Sequence, residues 1–213
     1  MFNHQKAVMQ TILLFSALCL GAYAQFSPAG QQAIVDAHNA LRSKIAKGQY
    51  VAKEDKKPSG SNILKIKWDK SIAASAQKYA DTCPKGHSGA KGLGENLFWL
   101  WTTGKVSNLD SYGKSAASAW ENEFKKYGWN SNDFNGKLFS TGIGHATQMA
   151  WAKTGSIGCG VKDCKSAKGS KITVVCQYKA QGNYLGNSVY YSGATCSACP
   201  SGTSCEKSTG LCV

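Results

Sequence analysis

Beyond residue 26, stretches with helical spacing give way to stretches with the period of a strand. Ile34, Ala37, Leu41 and Ile45 recur three or four positions apart, which lines one face of a helix. Ser27 can cap that helix, Pro28 fits its first turn and Gly48 can end it. A second helix is predicted from near Asp69, with Ile72, Ala76, Tyr79, Ala80 and Cys83 as its apolar stripe. A third is predicted over 111–127, with Ala116, Trp120, Phe124 and Tyr127 on one face, and a short fourth over 144–153. The period then drops to two. A strand is expected near 157–161 and another over 171–179, where Ile172, Val174, Cys176 and Tyr178 alternate with their neighbours. Residues 162–170 would join them as a hairpin connection, and a further short strand is expected near 64–66 and Trp68. The segments 49–61, 84–94 and 130–136 are rich in glycine, proline or polar residues and read as loops. Helices followed by strands, without repeats, predict an α+β layer structure with helices packed on a mainly antiparallel sheet.

The N-terminus breaks this pattern. Lys6 precedes an apolar run from Ala7 to Leu20, and Ala22-Tyr23-Ala24 follows. That is the form of a secretory signal peptide, residues 1–24, cut after Ala24. The run is shorter than the ~20 apolar residues of a spanning helix, so no membrane span is expected. Nine cysteines are present, and Cys19 falls in the signal peptide. The other eight are Cys83, Cys159, Cys164, Cys176, Cys196, Cys199, Cys205 and Cys212. An even number in a secreted chain implies a disulfide framework of four bridges, whose pairing spacing alone leaves open. Cys196-x2-Cys199 resembles half of a zinc ribbon, but an oxidising compartment favours disulfides. At 213 residues the chain holds one well-packed domain.

Charge adds less. The formal net charge is +13, or +12 without Lys6, spread over lysines such as Lys53, Lys56, Lys57, Lys162, Lys165, Lys168 and Lys171. No nucleic-acid motif accompanies them, so nucleic acid is not an expected partner. A cationic surface suits anionic glycans or acidic lipids, and equally a surface that is merely soluble.

The candidate chemistry lies in a few isolated residues. His38, His87 and His145 are the histidines beyond the signal peptide. Glu123 sits between Trp120 and Tyr127 on the apolar face of the third helix, where an unpaired carboxylate costs several kcal/mol and calls for a partner such as histidine. Glu95 lies between Gly94 and an apolar run, and His87 in a glycine-rich loop. If two histidines and two glutamates converge, they can hold a divalent cation, act as acid and base, or form a buried polar network. Their spacing does not choose among these.

Five stretches resemble the CAP superfamily of cysteine-rich secretory proteins, antigen 5 and plant pathogenesis-related 1 proteins. They are His38 to Arg42, His87-Ser88 after Cys83, Gly94 to Leu97, Gly144 to Trp151 and Val174 to Tyr184, in the family's order. The resemblance spans roughly residues 27–190, within a domain expected over 25–190. A cysteine-rich tail over 191–213 is similar to that of roundworm venom-allergen-like members. It implies an α-β-α sandwich, and a central cleft lined by His87, Glu95, Glu123 and His145. It also implies that a divalent cation, often zinc, is held there by His87 and His145, with Glu95 and Glu123 acting through water. It implies pairing of Cys159 with Cys176 and of Cys83 with Cys164, with the tail's Cys196, Cys199, Cys205 and Cys212 closing among themselves. His38, with Asn39 and Arg42, would tie the first helix to the rest of the fold. Ala146 stands where the family is usually aromatic, which would widen the cleft.

The reading that follows is a secreted extracellular binding protein without catalytic residues. It would take a cation in the cleft, a sterol or fatty acid in an apolar groove, or both, and act as an effector or signalling protein. Trp99, Trp101 and Trp120 are candidate groove linings or simply core. Two alternatives remain. One is a protein ligand acting through surface loops, with an extracellular protein partner. The other is a hydrolase using Ser88 or Thr147, although no G-x-S-x-G turn is present. The tail, short of apolar residues, would be held by its bridges.

Overall fold

The structure, a computed structural model, describes residues 26–213. The expected signal peptide, with Cys19, lies outside them.

Helix α1 covers Pro28–Ala46, capped as expected by the Ser27 hydroxyl, which accepts from the Gly30 amide. Short strands β1 (Val51–Ala52), β2 (Asp55–Lys56) and β3 (Lys67–Trp68) follow. Helix α2 (Lys70–Ala80) is capped by the Asp69 carboxylate, which accepts from the Ser71 and Ile72 amides. Then come β4 (Gly94–Thr102), α3 (Asp110–Tyr127), β5 (Asp133–Phe134), α4 (Gly136–Phe139) and α5 (Gly144–Ala150). A long hairpin, β6 (Ser156–Ser166) and β7 (Gly169–Lys179), is followed by β8 (Asn187–Ser188), β9 (Cys205–Glu206) and β10 (Leu211–Cys212).

The central sheet runs β3-β6-β7-β4. It is antiparallel except for β3, which pairs parallel to β6. One face packs on α1, α3 and α5 through Ile34, Leu41, Ala116, Trp120, Ala146, Met149, Ile157, Val161 and Val174. The other packs on α2 through Ala76, Ala80, Leu97 and Val175. These layers are the α-β-α sandwich. Gly158 and Gly160 let α2 lie directly on β6: a Cβ at either would come within 2.1 Å of Ala73 N or 2.3 Å of Gln77 Cα.

Short β1, β2 and β5 form within segments read as loops, and α4 was not expected; four further differences from the sequence reading have local causes. The hairpin strands extend through residues expected to connect them, leaving only 167–168 as the turn. Residues 94–102 form β4, a strand that periodicity did not reveal. Tyr127, expected on an apolar face, is 46% exposed because α3 runs past the core. Helix α5 stops at Ala150 because Trp151 turns to φ −57, ψ 111.

Behind the sheet lies a buried polar hub. His38 donates from Nδ1 to the Ile34 carbonyl at 2.8 Å, and its Nε2 accepts from the Tyr178 hydroxyl at 3.0 Å. Asn39 bonds both backbone groups of Ile66. The Arg42 guanidinium is fully buried and donates to the carbonyls of Leu64, Met149, Trp151, Ala152 and Thr154. This is the tie expected of these three residues.

Burial pushes the His38 imidazole down to about 4, with Arg42 adding to the effect and the Ile34 bond opposing it. The unfolded chain therefore binds a proton there that the folded chain refuses. The His38 contribution is fully present above pH ~6.5 and is lost as pH falls toward 4, at a cost of about 3 kcal/mol. Urea unfolding at pH 7 and pH 4.5 checks this. His38→Gln should flatten the loss between the two, whereas an unchanged slope would assign it to other groups.

All eight described cysteines are bridged: Cys83–Cys164, Cys159–Cys176, Cys196–Cys205 and Cys199–Cys212. Cys159 and Cys176 face each other across β6 and β7. The tail closes on itself as expected, yet bridges alone do not hold it. Leu211 is fully buried in the main core, and the Cys212 amide and carbonyl bond to Ile63 and Lys65. Among the described residues, no helix is long and apolar enough to cross a membrane.

Candidate functional site

Strand β4 places Glu95 opposite Gln177 of β7. Its carboxylate is the hub of the 84–94 loop. Oε1 accepts from His87 Nδ1 at 3.0 Å and the Ser88 amide at 2.7 Å. Oε2 accepts from the Ser88 hydroxyl at 2.5 Å and Gln177 Nε2 at 2.9 Å. Burial pushes this carboxyl up, but the bonds from Gln177, Ser88 and His87 outweigh it and hold it below the usual range. The loop chain is thus pinned to the sheet by one ionised group.

Glu123 does the same from α3. Its Oε1 accepts from His145 Nδ1 at 2.6 Å, and its Oε2 from the amides of His145 and Ala146 at 3.1 and 3.0 Å. The partner demanded by a carboxylate on an apolar helix face is therefore His145 and the first amides of α5. Trp120, one turn earlier on α3, stacks on the His145 ring at 6.0 Å and 20°. Asn96 donates to the His145 carbonyl at 3.1 Å, tying α5 to β4.

The structure brings His87, Glu95, Glu123 and His145 to the walls of one cleft of about 260 Å³, with Asn96, Phe139 and Asn183. A neighbouring hollow of about 330 Å³ shares His87, Glu95 and Asn183. A carboxylate can only accept, so each imidazole presents its proton at Nδ1. Neutral, each then carries its lone pair on Nε2, and no protein bond to either Nε2 is found among the described residues. The side chain of His87 is 60% exposed and that of His145 37%.

Ala146 does not widen the cleft: it is fully buried in the core, and only its amide reaches the site. Among the candidate linings, Trp120 is core, whereas Trp99 and Trp101 lie exposed at one end of the sheet. The Ser88 hydroxyl is bonded to Glu95, and the Thr147 hydroxyl to Ile143, Gly144 and Asn183, so neither is paired with an imidazole. Cys196, Cys199 and Cys212 have sulfurs within 4.8 Å of one another, but all three are in disulfides and offer no thiolate to a metal. Asn96, Gln177 and Asn183 were missed as site residues. Asn183, at φ +58, bonds Thr147 and the Gly144 carbonyl. The signal for Asn96 and Gln177 was polar residues in otherwise apolar strands, legible only once β4 is set against β7.

The comparisons with known proteins bear on the family and the fold. A family model described as Cysteine-rich secretory protein family (CAP) matches residues 35–178. Ancylostoma secreted protein of Ancylostoma caninum is 35% identical over 183 residues, covering 82% of this chain and 42% of its own length. The chain spans between 33% and 42% of the length of the first curated relatives it matches. Among solved structures, one described as NaASP2 with Zn2+ superposes with TM-score 0.80 at 34% identity, covering 89% of this chain and 97% of that one. BmVAL-1 superposes with TM-score 0.82 at 33% identity, covering 89% and 96%. The matched stretch contains His38, the four cleft residues and the Cys159–Cys176 hairpin, and the chain belongs to the cysteine-rich secretory protein (CAP) family.

Proposed function

We propose that this chain is an extracellular binding protein whose cleft takes up a divalent cation, zinc, on the Nε2 atoms of His87 and His145. One observation carries the reading: each imidazole is held at Nδ1 by a carboxylate, which leaves its Nε2 uncommitted, and both residues line the same cleft. Carboxylate-held imidazole is the usual support behind a zinc ligand, because it fixes the tautomer and raises the basicity of the ligating nitrogen. Two imidazoles leave the remaining positions of a tetrahedral ion to water, which Glu95 and Glu123 border. The zinc in the structure of the 34% identical NaASP2 supports the choice of ion. A cation bridging His87 on its loop to His145 on α5 would brace the cleft rim as a surface for an extracellular partner. No step here needs a nucleophile, so the reading is of binding rather than turnover.

A sterol or fatty acid needs an apolar groove. A hollow lined by Trp151, Tyr184 and Tyr191 holds about 140 Å³, below the ~300 Å³ of ordinary small-molecule sites, and the roomier hollow of about 810 Å³ between α1, β3 and the tail sets Val35 and Ile66 among the charged side chains of Asp36, Lys65, Lys67 and Glu206. The cation reading is therefore the better supported.

Zinc titration into the metal-stripped full chain by calorimetry tests the proposal. One site is expected, abolished in His87→Ala/His145→Ala. Glu123→Gln, which keeps the side-chain shape but removes the charge behind the imidazole and one of the two acceptor oxygens, should bind about 10–100-fold more weakly. Equal affinity in the double variant would place the ion elsewhere and end the reading.

A further inference from the structure

The sheet outruns the helix that covers it. Helix α2 lies over Gly158 and Gly160, and its last buried residue, Ala80, packs with Leu97 and Val175. Beyond Phe98, which still packs on the core, β4 loses its cover: Trp99, whose Nε1 donates to the Pro84 carbonyl at 3.2 Å, is 38% exposed, Leu100 40% and Trp101 62%. β4 is also an edge strand, since the sheet ends with it. Large apolar side chains on an open sheet edge invite association and call for a reason.

The surroundings of this edge are basic. Trp101 faces Lys171 across the β4–β7 pair, and the Lys171 ammonium lies 5.8 Å from the centre of the Trp99 ring. Lys168, in the turn between β6 and β7, shares a shallow hollow with Trp101, Thr102 and Thr103. Lys165 lies beside it on β6, opposite Ser170, and Lys105 follows β4. Lys162 is bound to Asp81 at 3.3 Å. Within 99–108 and 162–171 the acidic residue is Asp163, against Lys105, Lys162, Lys165, Lys168 and Lys171.

These two features select the occupant. A second copy of this chain would bring the same lysines face to face, and like charges so placed repel. A sulfated glycan would satisfy the lysines and leave Leu100 and Trp101 in water. A bilayer of acidic lipids satisfies both. Tryptophan and leucine settle at the boundary of headgroup and acyl chain, and lysines around them meet anionic headgroups. We propose that this end of the sheet, with Trp99, Trp101 and Lys171 on one face, Leu100 and Lys165 on the other and Lys105 and Lys168 at its tip, docks the protein peripherally on anionic membrane surfaces. The docking is independent of the His87/His145 cleft.

Vesicle co-sedimentation of the oxidised full chain tests it. Binding to phosphatidylcholine–phosphatidylserine vesicles is expected, with little binding to phosphatidylcholine alone, and it should weaken as salt rises. Lys165→Gln/Lys168→Gln/Lys171→Gln should weaken it roughly fivefold per lysine. Trp101→Ser should reduce it about tenfold or more through lost apolar burial. Lys114→Gln/Lys125→Gln/Lys137→Gln, all exposed and on other elements, should leave it unchanged. Near-ultraviolet circular dichroism of each variant confirms the fold. The proposal is overturned by absence of binding to the serine-lipid vesicles. It is also overturned by equal losses in the two lysine triples, by indifference to Trp101→Ser, or by capture on heparin with no vesicle binding.

Discussion

Arg42→Ala is expected to lower stability by about 4 kcal/mol, a fall in melting temperature of roughly 10 °C for a chain of this size. Arg42 is fully buried, yet among the described residues it meets no carboxylate; its partners are five backbone carbonyls from two segments distant in sequence. Leu64 leads into β3, while Met149 lies in the last turn of α5 and Trp151, Ala152 and Thr154 form the turn from it to β6. A turn of irregular backbone inside a core has no ladder in which to spend its carbonyls. The planar guanidinium, with five donors at fixed angles, spends them at once. Burial pushes its pKa down to about 9, with Tyr178 opposing, so the group remains charged at neutral pH. Alanine takes this donor from the Leu64, Met149 and Thr154 carbonyls and leaves a cavity, while the Trp151 and Ala152 carbonyls keep the amides of Thr154 and Leu64. Arg42→Lys should recover less than half of the loss, since three donors on one nitrogen cannot span the same arc. Thermal and urea unfolding of the oxidised variants measures both. A melting temperature within about 2 °C of the parent for Arg42→Ala would show that water replaces the guanidinium at little cost.

Removing the Cys83–Cys164 bridge should cost a similar amount. It closes a separation of 81 residues, the longest of the four bridges. The loop-entropy model assigns such a closure about 4.5 kcal/mol. A second consequence follows from its position. Cys83 begins the loop that carries His87, and Cys164 lies on β6, so the bridge anchors one end of the loop while Glu95 holds the other. Cys83→Ala/Cys164→Ala should therefore unfold at lower denaturant and also bind zinc more weakly. Cys196→Ala/Cys205→Ala, which closes only 9 residues of tail, should leave zinc affinity unchanged. Denaturant unfolding and zinc titration of both pairs check this. Intact zinc affinity in the Cys83/Cys164 pair would show that the bonds of Glu95 alone position His87.

The helices other than four-residue α4 were legible because their signals are local. Ser27 caps where the sequence places it, α2 starts beside Asp69 as expected, and α3 begins at Asp110, one residue before its predicted start. Strand β4 was not legible. Its run from Leu97 to Trp101 is continuously apolar, without alternation, and only pairing with β7, about seventy residues later in the chain, identifies it as a strand. For the same reason the hydrogen bond from Gln177 to Glu95 could not be read in advance. The tail was misjudged because one residue decides it: Leu211 contributes a single buried side chain, too little for any composition measure. The cleft was half visible. Helical spacing put Glu123 on an apolar face in need of a partner, but that His145 supplies it depends on α5 packing beside α3. The convergence of His87, Glu95, Glu123 and His145 came from the family resemblance rather than from their spacing.

The central claim is that His87 and His145 present two prepared nitrogens to one cation. Anomalous scattering at the zinc edge, from crystals of the full chain grown with zinc at neutral pH, tests it most directly. The account predicts a peak in the cleft about 2.0–2.1 Å from Nε2 of both histidines, with the remaining ligands water. A peak outside the cleft, or a cleft without density while zinc appears elsewhere, would contradict it.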